Sequence, residues 1–163
     1  MKDYLIKMEQ TKKYICEHVN EIPEIAIILG SGLGSLADDI TDKTILEYKD
    51  IPNFPISTVP GHKGELIFGK LEGVPVIAMN GRFHYYEGYD LKQTTYPIRV
   101  FSLLGVKTLI LTNAAGGINE TFKKGDLMII NDQLSFFAES VLRGPNMDEF
   151  GDRFIDMSAT YDK

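Results

Sequence analysis

The hydrophobic pattern of the first thirty residues predicts one amphipathic helix followed by a buried strand. Asp3 can act as the N-cap of the helix. The apolar positions that share one face of this helix are Leu5, Met8, Ile15 and Val19. Residues 25–29 are almost wholly apolar, a pattern typical of a central strand that is covered on both faces.

The next apolar runs have the length and composition of strands. We expect strands at 44–48, 66–71 and 74–79, and the dipeptide Glu72-Gly73 predicts a tight hairpin between the last two. Residues 51–64 contain three prolines and two glycines, which indicates a loop.

A second helix is predicted after residue 89. Asp90 and Gln93 have the spacing of a capping box, and Gly105 marks the end of the helix. Pro97 predicts either a kink or a late start of the main helical segment.

Two further strands are expected at Val106–Leu111 and Leu127–Ile130. Strands and helices alternate without repeats or an internal linker, so we predict a single α/β domain over residues 1–163, with a mixed central β-sheet flanked by helices. The chain stops where another helix could begin, and one face of the sheet is short of helices. We therefore expect the fold to be incomplete at the C-terminus.

Composition restricts the classes of partner. The net charge is −6 with acidic and basic residues interleaved, which argues against nucleic acid or an anionic membrane surface as a partner. Cys16 is the one cysteine, and in a helix we expect it to be a buried packing thiol rather than a nucleophile. With no apolar stretch of about 20 residues and no signal-peptide core, we expect a soluble cytoplasmic protein.

The stretch ILGSGLGS, residues 28–35, joins the first buried strand to a short predicted helix at 33–39. Free backbone N–H groups at such a junction, together with the Ser31 hydroxyl, can bind an anion. Residues 32–37 also match the dinucleotide pattern G-x-G-x-x-A, although the acidic residue that this pattern needs comes early. A tight turn without a ligand remains the third interpretation.

The segment GRFHYYEGY, residues 81–89, directly follows the predicted strand at 74–79. In extended backbone Arg82, His84 and Tyr86 lie on one side, while Glu87 points away or lies in the turn. An Arg, a His and a Tyr at a strand end suit an oxyanion next to a sugar hydroxyl. The alternative is a solvated rim with stacked aromatic rings.

Two other segments carry candidate residues. His62 lies in a glycine-flanked loop, where a lone histidine is more often a surface residue than a catalytic one. The small residues of 112–117, TNAAGG, would let a flat ligand approach the backbone of a third strand end. The three histidines have no carboxylate neighbours at metal-ligand spacing, so we predict no metal site. The three strand ends could meet at one carboxyl edge of the sheet, where α/β proteins bind ligands.

Taken together, these segments resemble the trimeric purine nucleoside phosphorylases. The motifs that carry the resemblance, in order, are Gly30–Gly34, Val59–His62, Gly81–Gly88, Thr112–Asn119 and Arg143–Asn146.

The resemblance implies a three-layer phosphorylase/nucleosidase-like fold and the reversible phosphorolysis of inosine and guanosine to free base and ribose 1-phosphate. It implies no cofactor beyond inorganic phosphate as co-substrate, and a homotrimer. The residues expected to hold phosphate are Ser31, His62, Arg82, His84 and the backbone N–H of Ala114. The residues expected at the ribose are Tyr86 and, across a subunit interface, Phe154. Ala115 and Gly116 would face the purine, with Glu87 and Asn113 in supporting positions.

The sequence also departs from the family. Residues 131–137 stand where the family usually has Asp-His-Ile-Asn, and the loop from there to Arg143 is contracted by about three residues. The chain resembles only the N-terminal three fifths of a typical member. The residues that hold the base would lie in the absent part. We therefore expect little turnover by this chain, and its base preference stays open. The remaining alternatives are an inactive phosphate-binding or subunit-pairing module and a dinucleotide-binding oxidoreductase.

Overall fold

The computed structural model describes residues 2–56 and 63–162 of the chain. The backbone divides into two compact units, residues 1–114 and 115–163. The first unit contains all the strands and α-helices of the described residues. Its helices are α1 (Lys2–His18), α2 (Leu91–Thr94) and α3 (Tyr96–Leu104). Its strands are β1 (Ile25–Leu29), β2 (Thr41–Glu47), β3 (Glu65–Leu71), β4 (Val74–Asn80) and β5 (Thr108–Leu111).

The five strands form one mixed sheet in the order β2-β3-β4-β1-β5. β2, β3 and β4 are antiparallel neighbours, whereas β1 pairs in parallel with β4 on one side and with β5 on the other. In this register Leu29 lies opposite Asn80, and Ile28 lies opposite Leu111. Because β4, β1 and β5 are parallel, their carboxyl ends lie at the same edge of the sheet, as the sequence predicted.

Buried apolar side chains explain why these segments assemble. Ile27 and Leu29 of β1 belong to one buried cluster with residues of β3 and β4 and the segment after β1; the other buried members are Ala37, Ile40, Ile67, Val76 and Ala78. α1 and α3 pack together, and the buried Thr11 hydroxyl joins α1 to the Tyr96 hydroxyl at 2.8 Å and to the Pro52 carbonyl at 2.6 Å. The mixed sheet with flanking helices confirms the predicted fold class.

Local signals in the sequence account for several boundaries. Glu72 and Gly73 both have positive φ, 49° and 79°, as the predicted hairpin turn requires. The Asp90 side chain accepts from the Gln93 N–H at 2.8 Å, which confirms the capping box. Pro97 stands in the first turn of α3, so the helical region starts again there, after the single turn of α2.

Four local expectations were wrong. Asp3 is not the N-cap of α1, because the helix already includes Lys2. Residues 127–130 form no strand, and Leu127 and Ile129 are almost fully exposed; their backbone belongs to no ladder of the described strands. Cys16 is exposed, because it comes one residue after Ile15 and is therefore rotated off the buried face of α1. The helix expected at 33–39 is a 3₁₀ turn at Gly34–Ala37.

The second unit has irregular backbone, with one 3₁₀ turn at Asp148–Phe150 among its described residues. Many of its large apolar side chains are exposed, including Ile118, Leu134, Phe136 and Phe154. The expectation that residues 1–163 form a single domain stays a prediction. No helix in the described part of the chain combines the length and hydrophobicity needed to cross a membrane.

Gly30→Ala should lower the free energy of unfolding by about 1–3 kcal/mol, because an added Cβ would lie 2.5 Å from the Thr112 carbonyl oxygen and 3.0 Å from Asn113 Cα. Gly34→Ala is the matched control, since a Cβ there meets nothing closer than 3.9 Å. Urea denaturation of both variants measures the difference. Equal stabilities would contradict the close contact between the ends of β1 and β5.

Because Tyr48 is buried, we expect the free energy of unfolding to fall in alkaline solution. Its ring is buried against Phe54 and Phe83, and its hydroxyl donates to the Gly81 carbonyl at 2.5 Å. Burial, with a smaller contribution from the Glu65 carboxylate, raises the pKa of Tyr48 well above its ordinary value of 10.0. Above pH ~10 the unfolded chain loses this proton while the folded chain keeps it, so stability should fall by up to about 1.4 kcal/mol per pH unit.

The measurement is the free energy of unfolding between pH 9 and 11 for the unsubstituted chain and for Tyr48→Phe. We expect a shallower decline in Tyr48→Phe, and an unchanged decline in the exposed control Tyr85→Phe. Identical slopes in all three proteins would show that Tyr48 does not carry the effect.

Candidate functional site

The candidate site begins where three parallel strands end. Gly30 follows β1, Gly81 follows β4, and Thr112 follows β5. The end of β1 touches the end of β5 directly, because only a residue without a side chain fits at Gly30 beside the Thr112 carbonyl. The three segments that the sequence singled out therefore belong to one edge of the sheet.

Arg82 is held at this edge by two hydrogen bonds. Gly81, with φ 110°, turns the chain out of β4 and places Arg82 beside the end of β5. Its Nη1 donates to the Thr112 carbonyl at 2.9 Å, and its Nε donates to His84 Nε2 at 3.0 Å. The side chain is half-buried, so the guanidinium group has a defined direction.

His84 is fixed from its other side by Glu87. The 3₁₀ turn Tyr85–Glu87 brings the Glu87 carboxylate back to accept from the His84 backbone N–H and to contact His84 Nδ1, both at 2.8 Å. The Glu87 side chain is only 3% exposed. Since arginine can only donate, His84 Nε2 accepts from Arg82, and Nδ1 carries the proton that is shared with Glu87. Glu87 thus lies in the turn, one of the two placements that the sequence allowed.

Tyr86 covers the imidazole. Its ring stacks on His84 with centroids 4.7 Å apart and planes 20° apart. The ring is 74% exposed, so its outer face is open to a ligand. Arg82, His84 and Tyr86 are thus in sequential contact, although Tyr86 lies in the 3₁₀ turn and not in the extended backbone that the sequence interpretation assumed.

Ser31 lies at the tip of the turn that follows β1. The Leu33 N–H donates to the Gly30 carbonyl at 3.1 Å, and Gly32 has φ 88°, which favours glycine at this position of the turn. Ser31 is exposed. Because the following 3₁₀ turn is only four residues long, we assign no role to a helix dipole here.

The remaining predicted residues are distributed over both units. Asn113 and Ala114 follow Thr112 in the first unit and are exposed, and the Asn113 amide donates to the Ala114 carbonyl at 3.3 Å. Ala115, Gly116 and Phe154 belong to the second unit, where Phe154 is 91% exposed. His62 lies outside the described residues.

Sequence reasoning missed the part played by Thr112. The sequence suggested only a junction of small residues, but the Thr112 side chain and carbonyl make three hydrogen bonds to the other strand ends. The available signal was a hydroxyl residue directly after the apolar run of a predicted strand.

The topology argues against the dinucleotide alternative. That fold places the strand after the glycine loop in parallel beside the first strand. Here β2 instead lies at the far edge of the sheet and pairs antiparallel with β3. Among residues 2–56 and 63–162, no group of three or more His, Cys, Asp or Glu side chains is arranged to hold a metal ion.

Comparison with known proteins agrees with this architecture. Residues 24–163 match the profile of the phosphorylase superfamily. Purine nucleoside phosphorylase 1 of Bacillus subtilis (strain 168) is 55% identical over 163 residues, which are 100% of this chain and 59% of that protein. Purine nucleoside phosphorylase of Bos taurus is 50% identical over 158 residues, 95% of this chain and 55% of that protein.

Solved structures give the same result. Isoform 2 of purine nucleoside phosphorylase from Schistosoma mansoni, in complex with cytosine and ribose-1-phosphate, superposes with a TM-score of 0.86 at 46% identity, covering 94% of this chain and 55% of that one. A purine nucleoside phosphorylase in complex with ribose-1-phosphate gives 0.87 at 46% identity, covering 94% and 58%. The chain spans between half and three fifths of the length of these relatives. Its matched residues and its fold show that the chain belongs to the phosphorylase superfamily.

Proposed function

We propose that this chain carries the phosphate side and part of the ribose side of a purine nucleoside phosphorylase. The reaction would be the reversible phosphorolysis of inosine or guanosine to free base and ribose 1-phosphate. The observation that carries the proposal is the Arg82 guanidinium, fixed by Thr112 and His84 where three parallel strands end. The names of the relatives and the ribose-1-phosphate in two similar structures support it.

Arg82 would make the main contact with phosphate. A guanidinium has five N–H donors in a planar fork that suits phosphate, and the two contacts above use two of them. The Ser31 hydroxyl and the Ala114 N–H, each after a neighbouring strand, would add uncharged donors that set the orientation of the ion. A single well-placed cation can bind an anion although the chain as a whole carries −6.

His84 would join the phosphate site by changing its hydrogen-bonding role. A phosphate oxygen can replace Nε2 as the acceptor for Arg82 Nε. A proton delivered by phosphate to Nε2 would then make His84 a second donor. The Glu87 carboxylate at Nδ1, 2.8 Å away, would stabilise the resulting imidazolium. His62 is proposed to lie over the entrance for phosphate.

The rest of the reaction depends on positioning rather than on a protein nucleophile. As the glycosidic bond breaks, the ribose gains the positive charge of an oxocarbenium ion. A bound phosphate stabilises this charge and then attacks the ribose. Tyr86 would contact the ribose with the exposed face of its ring, and Ala115 and Gly116 would face the purine. Phosphate is the co-substrate, and we propose no other cofactor.

The assembly and location belong to the same proposal. We propose that Phe154, which is 91% exposed, reaches the ribose site of a neighbouring subunit in a homotrimer. The protein would work in purine salvage in the cytoplasm.

A second candidate is a phosphate-binding or subunit-pairing module without turnover. The exposed apolar side chains of the second unit favour it, because such surfaces commonly mark protein contacts. Such a module would bind inorganic phosphate, and its affinity for ribose 1-phosphate would be no higher than its affinity for phosphate.

Arg82→Ala should weaken phosphate binding about tenfold to a hundredfold, because a charge-assisted, bidentate contact is lost. Isothermal titration with inorganic phosphate at constant ionic strength measures the loss. Lys70→Ala is the matched control, since Lys70 is an exposed cation paired with Asp42 at 3.1 Å and should be without effect. Equal losses in the two variants would indicate nonspecific anion binding.

Tyr86→Ala should weaken binding of ribose 1-phosphate about tenfold while phosphate affinity stays within twofold, because Glu87 still holds His84 through two hydrogen bonds. Competition titrations with both ligands give the two affinities. Tyr85→Ala controls for loss of a neighbouring exposed ring. If ribose 1-phosphate binds the unsubstituted chain no more tightly than phosphate does, the module is the better description.

A further inference from the structure

We propose that Thr112 is the positioning residue of the anion site. Its carbonyl holds Arg82, and its hydroxyl holds Gly30. The inference rests on the proposed function, because it explains how this chain holds Arg82 ready for phosphate. Thr112 need not touch the ligand: its effect would be transmitted through Arg82 and through the turn that carries Ser31.

The argument starts from the pairing of β1 with β5. Thr108 lies opposite Ile25, and its N–H donates to the carbonyl of the preceding residue, Glu24, at 3.0 Å. The regular pairing ends with Ile28 opposite Leu111. Thr112 is the next residue and would stand opposite Leu29. By the pattern of Thr108, its backbone would bond to the carbonyl of Ile28 and to the N–H of Gly30.

At Thr112 the side chain makes both of these bonds. Its hydroxyl donates to the Ile28 carbonyl at 2.8 Å and accepts from the Gly30 N–H at 2.7 Å. The hydroxyl, which can both donate and accept, therefore takes the place of the Thr112 backbone carbonyl as acceptor for Gly30 and is also a donor to the Ile28 carbonyl. The Gly30 N–H thus remains satisfied although its partner is a side-chain oxygen instead of a backbone carbonyl.

Because the hydroxyl accepts from the Gly30 N–H, the Thr112 carbonyl is available for Arg82. In a continued ladder this carbonyl would accept from Gly30, but here it accepts from Arg82 Nη1 at 2.9 Å. Gly30 makes the arrangement possible, because any Cβ at that position would stand 2.5 Å from the same oxygen.

Thr112 thus connects two parts of the proposed phosphate site. Its carbonyl orients the Arg82 guanidinium, and its hydroxyl holds Gly30, whose own carbonyl begins the turn that carries Ser31. Removing the hydroxyl should leave the Gly30 N–H without an acceptor or should make it compete with Arg82 for the Thr112 carbonyl. In either case the guanidinium loses its fixed direction.

The test compares Thr112→Val, which keeps the shape but not the hydroxyl, with Thr112→Ser, which keeps the hydroxyl. We expect Thr112→Val to weaken inorganic phosphate binding about tenfold and Thr112→Ser to restore most of it. Thr108→Val, at the other end of β5, is the control and should bind phosphate normally.

A double-mutant cycle distinguishes positioning from a general structural defect. In the Arg82→Ala background, Thr112→Val should cause no further loss of phosphate affinity, because its effect passes through Arg82. A further tenfold loss in that background, or no loss in the single variant, would overturn the proposal.

Two readouts do not depend on phosphate. In NMR spectra the Arg82 Nε–H signal should be resolved in the unsubstituted chain and in Thr112→Ser, and broadened in Thr112→Val. If Thr112→Val does not fold, amide exchange of the unsubstituted chain decides: Gly30 should be protected like the residues of β1, and fast exchange would overturn the proposal. Gly30 could be protected and the Arg82 signal resolved while the chain binds no phosphate. That result would reject the proposed function, but it would leave the role of Thr112 in orienting Arg82 intact.

Discussion

The hydrogen bond from Arg82 to the Thr112 carbonyl is the contact on which the proposed site depends. It joins a residue after β4 to a residue after β5, across the end of β1 that lies between them. The bond requires the parallel order of these strands, which is stabilised by the buried apolar residues of β1 and β4. It also requires glycine at position 30. The hydrophobic core and the candidate chemistry are therefore linked through backbone geometry at one edge of the sheet.

The candidate site holds an arginine in a fixed position within an acidic chain. The Glu87 carboxylate is buried and is paired with His84 through two contacts of 2.8 Å. The imidazole contacts the guanidinium through Nε2 and the carboxylate through Nδ1. This arrangement gives an arginine with a fixed direction and a histidine whose hydrogen-bonding role can change.

Much of the first unit could be predicted from sequence because its signals are local. The apolar run at 25–29, the turn at Glu72-Gly73 and the capping box at Asp90 each depend on neighbouring residues, and each was confirmed. Residues 127–130 were misjudged because a strand depends on a partner strand, which a local apolar run does not reveal. The double role of Thr112 could not be predicted either, because it depends on which Thr112 oxygen faces the Gly30 N–H at the end of β5.

The most direct test of the account is an NMR titration of the chain with inorganic phosphate at constant ionic strength. If the strand ends form one anion site, signals from Ser31, the Arg82 side chain and the Ala114 amide should shift together and fit a single dissociation constant. Shifts confined to exposed lysines, or shifts at these three residues that follow different curves, would contradict a single phosphate site at this edge of the sheet.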